Sequence, residues 1–294
     1  PYTTLFRSAC ALHRDHRGVL PWLGRVGNED MRPLRKALVR AAARICPWKG
    51  DRAVGSAGRT GAFRILMYHS VGAARQDDRI GIRVTPKNFR LQMRFLHDNG
   101  YTVIVLGDLI PMLDSGRSLP ARTVAITFDD GYRDTLIEAA PVLNGLHFPA
   151  TVFACMGYVA GTARDPKRYW SLWDFMSCDD LRAISALGFD IGLHSMTHAP
   201  LGTLTTDEAL REIRESRSAL ERCIGQEVSL FSYPHGSFND RVIGLLRENR
   251  FAAACSSIRG INDARTDRFK LRRTEIAADD TIEDFKMKMK GCYD

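Results

Sequence analysis

No stretch of the 294-residue sequence approaches the ~18 consecutive apolar residues of a membrane span, which argues against a transmembrane helix. No internal repeat and no low-complexity tract occurs, so a solenoid or collagen-like architecture is excluded. No Cys-x-x-Cys pair exists among Cys10, Cys46, Cys155, Cys178, Cys223, Cys255 and Cys292. Their odd number and wide spacing argue against a disulfide framework or a structural zinc knot. Most are expected to be buried free thiols, which leans toward a reducing compartment. No secretory apolar core stands in the first thirty residues and no methionine precedes Met31, so residues 1–30 read as upstream read-through or an expression scar.

What is present is ordinary globular material: 45% hydrophobic and 26% charged residues, enough for a substantial core. Lys and Arg number 42 against 34 Asp and Glu, a net charge of +8 that favours acidic surfaces without choosing among them. The basic residues are dispersed and no aromatic-basic strand motif accompanies them, so nucleic acid is not an expected partner. Residues 1–60 are expected to be a basic extension and linker. Within it Leu34, Leu38, Ala42 and Ile45 recur at helical spacing, which reads either as a solvated extension or as a helix for a peripheral membrane or partner contact.

From Phe63 onward, β-branched runs alternate with helical patterns. Strands are expected at 63–69, 101–106, 123–128, 151–154, 189–193, 229–233 and 251–255. Thr85-Pro86 opens a helix that Gly100 ends, and the clearest helix runs from 206 to 224, with Leu210, Ile213 and Leu220 inward and charges between them. Such alternation predicts an α/β fold with a parallel sheet or barrel over residues 61–294. In a barrel, chemistry belongs where strands end. There the sequence places Asp129-Asp130-Gly131, His194 and His198, and Pro234-His235-Gly236, while His69 closes the first strand. Adjacent carboxylates at a buried strand end repel unless a cation or a proton intervenes. Two imidazoles four residues apart, joined by a carboxylate from another strand, make a two-His-one-carboxylate site with open positions. The donor set alone leaves zinc and non-haem iron both open.

The segments TFDDG (127–131), HSMTH (194–198) and FSYPHG (231–236), in that order, resemble the polysaccharide deacetylases, the NodB-homology group or carbohydrate esterase family 4. ILMYHSVG (65–72) is similar to the branch containing the poly-N-acetylglucosamine deacetylases. The resemblance implies a distorted (β/α) barrel of about seven parallel strands, a divalent metal, usually Zn2+, and hydrolytic removal of acetyl groups from N-acetylated sugars. It implies Asp129 as general base and Asp130, His194 and His198 as metal ligands. Tyr233 and Pro234 would contact substrate, and the His235 N–H would help hold the oxyanion.

Two departures follow. Ser232 stands where the family's third motif has an arginine, so either the base is less constrained or another cation substitutes, for which Arg272 or Arg273 is placed. The histidine of the last motif, the general acid, is missing, because none follows His235. His69 is the best replacement by position and His235 the weaker one. An O-acetyl esterase, a small-amide amidohydrolase or a degenerate carbohydrate-binding domain are the rival readings, which metal analysis and acetate release separate. Tyr169, Trp170 and Trp173 read either as sugar-stacking residues or as packing. The family commonly works outside the cytoplasm, whereas the cysteines point inward, so localisation stays open.

Overall fold

The computed structural model describes residues 61–75, 78, 80–160 and 173–294. The expected basic helix before residue 60, Tyr169 and Trp170 lie outside the described residues. Strands β1 (Phe63–Tyr68), β5 (Thr123–Phe128), β6 (Thr151–Ala154), β7 (Asp190–Leu193), β8 (Leu230–Ser232), β9 (Ala253–Cys255) and β10 (Thr274–Glu275) line up in the order β10-β1-β5-β6-β7-β8-β9. Every pairing along this path is parallel. Leu271, just ahead of β10, bridges Cys255 of β9, so the seven strands curl toward closure as a distorted barrel. A short β4 (Thr102–Val103) pairs with β5, and β2 (Ser70–Val71) pairs with β3 (Arg83–Val84) in a separate ribbon.

Side chains alternate across each strand, and the two cores follow that alternation. Phe63, Ile65, Ala125, Phe153, Leu230, Ala253 and Cys255 fill the barrel interior. Leu66, Tyr68, Ile126, Phe128, Val152, Ala154, Leu193 and Phe231 face outward beneath the helices. Those helices are α1 (Pro86–Asp98), α2 (Leu106–Asp114), α3 (Ala140–Gly145), α4 (Met156–Val159), α5 (Cys178–Ala186), α6 (Thr206–Ile224), α7 (Asp240–Glu248) and α8 (Ile282–Met289). Thr85 caps α1 by accepting from Asn88 N, and Pro86 occupies the first turn, where its missing N–H costs nothing. Thr205 and Glu208 form a capping box on α6, and Gly225 ends it in the left-handed conformation.

Two expectations are corrected here. The strand expected over 101–106 is only two residues long, because Leu106 begins α2, whose Leu106, Leu109, Ile110 and Leu113 join the barrel interior. The cysteines are not all thiols: Cys178 and Cys223 form a disulfide between α5 and α6, adjacent helices that bring residues 45 apart in sequence together. This pair is removed from the thiols on which the lean toward a reducing compartment rests. Cys155 and Cys255 are the buried free thiols among the described residues.

Candidate active site

Register brings the chemistry to one rim. Phe63 pairs with Thr123 and the pairing holds through Tyr68 and Phe128, so His69 and Asp129 emerge side by side; Asp129 N donates to Tyr68 O at 3.0 Å. Strand parity assigns Asp129, His194 and Ser232 to the same interior face as Ile65, Ala125 and Leu230. The same parity would turn Asp130 outward. Its φ of 75°, followed by Gly131 at 83°, instead bends the chain back into the site. His198 (φ 60°) and His235 (φ 55°) are also left-handed, a conformation that costs an ordinary residue ~1–2 kcal/mol. Strained backbone of this kind gathers at functional sites.

Asp130, His194 and His198 converge. Asp130 Oδ1 lies 3.3 Å from His194 Nε2 and 3.2 Å from His198 Nε2. One ligand atom from each of the three residues falls within 4.8 Å of the others. Asp130 Oδ1 is buried without a hydrogen bond of proper geometry. These separations suit the edges of a coordination polyhedron with bonds of ~2.0–2.2 Å, so the residues fit a divalent ion. His194 Nδ1 is 2.8 Å from Ser232 O. A carbonyl only accepts, so Nδ1 carries the proton and Nε2 offers its lone pair, as a metal ligand requires.

Asp129 is held differently. Arg273 Nη1 donates to Oδ1 at 2.8 Å and Nη2 to Oδ2 at 2.7 Å. Ser232 Oγ donates to Oδ2 at 3.2 Å while accepting from Arg273 Nη2 at 2.9 Å. Of the two arginines expected as substitutes, Arg273 takes this place. Arg272 instead hydrogen-bonds through its backbone with Asn262. Burial pushes the Asp129 carboxyl up, but the charges of Arg273 and His194 outweigh it and hold the pKa below the ordinary value. For Asp130 burial is likewise outweighed, here chiefly by the charge of His198, and its pKa lies well below the usual range. Burial opposes charge on His194, yet Asp129 and Asp130 raise its pKa overall.

His69 follows the last residue of β1, level with Asp129. Its Nδ1 is buried with no hydrogen-bond partner. The His235 ring stands edge-on to His198, with centroids 4.4 Å apart. Burial, then the charges of His198 and His194, depress its pKa.

The two residues expected to contact substrate, Tyr233 and Pro234, are packed into the fold. Tyr233 is buried, its hydroxyl donates to Phe269 O at 3.0 Å, and its ring stacks on Phe238. Pro234 is also buried, as the first residue of the short 3-10 turn that carries His235. Trp173 packs on Tyr132 under the guanidinium groups of Arg75 and Arg83, so the packing reading holds for it. Glu212, which holds the loop between the two histidines, was not singled out in the sequence; its place on a charged helix face gave no signal.

Comparison with known proteins shows what this rim is similar to. The chain is 26% identical over 213 residues to YxkH of Bacillus subtilis (strain 168), a protein provisionally named a polysaccharide deacetylase, covering 72% of this chain and 71% of that one. It is 26% identical over 178 residues to a protein from Staphylococcus epidermidis named poly-beta-1,6-N-acetyl-D-glucosamine N-deacetylase, covering 56% of this chain and 58% of the relative. The fold superposes on the Streptococcus pyogenes deacetylase PplD, solved with acetate, at a TM-score of 0.69 and 20% identity, over 78% of this chain and 99% of that one. Among the described residues, no helix is long and apolar enough to cross a membrane. The profile for "Polysaccharide deacetylase" matches residues 116–254, the stretch that carries both aspartates and both histidines, and over that stretch the chain is similar to the polysaccharide deacetylases.

Proposed function

We propose that this protein is a metal-dependent polysaccharide deacetylase that removes N-acetyl groups from a glycan containing N-acetylglucosamine. The observation that carries the reading is the pairing of two unlike carboxylates. Asp130 converges with His194 and His198, while Asp129 is clamped by Arg273 and left out of that trio. Asp130, His194 and His198 would hold the ion, and their nitrogen and oxygen donors suit Zn2+. When bound, such an ion supplies polarisation of the acetyl carbonyl and a lowered pKa for water.

Asp129, its pKa depressed, is ionised at neutral pH and takes the proton of the attacking water. The His235 N–H, at the rim on a turn bent by its left-handed φ, donates to the oxygen that gains negative charge. His69 gives a proton to the amine as the C–N bond breaks, and acetate and a free amino sugar leave. The Staphylococcus relative, named for a poly-N-acetylglucosamine substrate, supports this substrate class.

The test is acetate release by the zinc-loaded protein from N-acetylglucosamine oligomers and from acetylated xylan. Release from the oligomers, lost on chelation and restored by metal, is the expected result. Release from xylan alone makes the protein an O-acetyl esterase, and binding without release makes it a carbohydrate-binding domain.

A further inference from the structure

We infer that Glu212 is a positioning residue that holds the His194–His198 loop in its ligand-presenting conformation; this rests on the reading of Asp130, His194 and His198 as metal ligands. Glu212 lies on α6, between the buried Ala209 and Ile213. Its carboxylate turns away from the helix toward the loop above β7. Oε2 accepts from Met196 N and Thr197 N, both at 2.9 Å, and Oε1 accepts from Thr197 Oγ1 at 2.6 Å.

The loop needs such a partner. Ser195 and His198 both sit at positive φ, 64° and 60°, and each pays a local conformational penalty as a non-glycine residue. The turn at Ser195 directs two successive N–H groups, of Met196 and Thr197, at one point, the kind of concavity that binds an anion. The Glu212 carboxylate fills it. The opposite side of the loop is anchored through its carbonyls: Ser195 O accepts from Met156 N, and Met196 O accepts from Gly157 N and Cys155 Sγ. Ser195 Oγ accepts from His198 N at 3.1 Å. Glu212 therefore supplies the acceptors for the inner N–H groups of a left-handed loop whose two ends are the imidazoles facing Asp130. Without it those groups must find water, and the loop gains freedom to relax away from the conformation that brings His198 to Asp130.

The test is metal binding by the full chain, stripped of metal and titrated with Zn2+ against a chromophoric chelator, with the visible spectrum of bound Co2+ as a second readout of ligand geometry. E212A should bind Zn2+ about 10–100-fold more weakly, as loss of partners behind metal ligands does, and should alter the Co2+ spectrum. E212Q keeps an oxygen that can accept both N–H groups, and its affinity should return to within about threefold of the parent. If E212A does not fold, E212D retains the charge but withdraws it by one methylene, and must still lose affinity. A lowered melting temperature with unchanged Zn2+ affinity and Co2+ spectrum in E212A and E212D overturns the inference and leaves Glu212 a structural residue. A parent protein that binds neither ion overturns the metal reading itself, and this inference with it.

Discussion

Arg273 and Asp129, 144 residues apart in sequence, meet inside the barrel in a two-pronged ion pair with both partners almost wholly buried. Arg273 also donates Nε–H to Ser256 O, so the fork is fixed at its base before it reaches the carboxylate. Fixed this way, the guanidinium does more than neutralise a charge. It sets the direction in which the remaining lone pairs of Asp129 can point.

Arg273→Ala should remove most acetate release and lower stability by about 3–5 kcal/mol, because it leaves a buried carboxylate without its cation. The pH dependence has a definite sign. Arg273 helps hold the Asp129 pKa below its usual value while burial pushes it up, so removing Arg273 raises it. The acid limb of the rate profile should therefore move to higher pH in Arg273→Lys, which retains a charge but loses the fork. In the parent, the pair stabilises the fold above the unfolded carboxylate value of ~3.9, and that contribution is lost as pH falls through the lower folded value. An unshifted acid limb in the lysine variant would separate Arg273 from the base.

Asp129→Asn should abolish acetate release while leaving zinc content near that of the parent. The amide keeps the shape but cannot accept a proton, and general-base loss alone is worth ~10²–10⁴ in rate. Elemental analysis beside the assay decides it. Loss of metal in this variant would mean that the two aspartates exchange roles.

Much of this site is legible in the sequence because strand period and register are simple. Parity puts Asp129, His194 and Ser232 on one face, and the matched starts of β1 and β5 bring His69 to the same level. What sequence cannot resolve is direction that depends on a single dihedral. Asp130 and His198 reach the site only through positive φ at non-glycine residues, which no propensity announces. Arg272 and Arg273 are indistinguishable in sequence; adjacent residues next to a strand face opposite ways, and packing alone shows that Arg273 enters the interior. Tyr233 looked available because its motif sits at a rim, yet its ring completes the outer core against Phe231 and Phe238. Cys178 and Cys223 carry no spacing signal, since what joins them is the packing of α5 against α6.

That disulfide has a measurable consequence. It closes a loop spanning 45 residues, including all of β7 and both histidines. A loop of that size is worth roughly 4 kcal/mol in the chain-entropy description, with measured values commonly ~2–4. Cys178→Ser, or a reducing agent, should lower the melting temperature by about 5–15 °C for a domain of this size. Identical melting curves with and without reductant would show that the bond does not form in the folded protein.

His69→Ala carries the sharpest test of the mechanism. His69 stands level with Asp129 at the end of β1, and its buried Nδ1 has no hydrogen-bond partner. A general acid matters in proportion to how poorly the leaving group departs without a proton. An amine leaves badly and an activated phenol leaves unaided, so the substitution should slow N-acetylglucosamine oligomers by ~10²–10⁴ and an activated acetyl ester by far less. The two substrates, assayed on one zinc-loaded preparation, share the base, the ion and the oxyanion donor. The ratio of their losses isolates the proton delivered to nitrogen. Equal losses on both would assign His69 to holding the metal site in shape, and parent rates on both would move the acid to His235, the other imidazole on this rim.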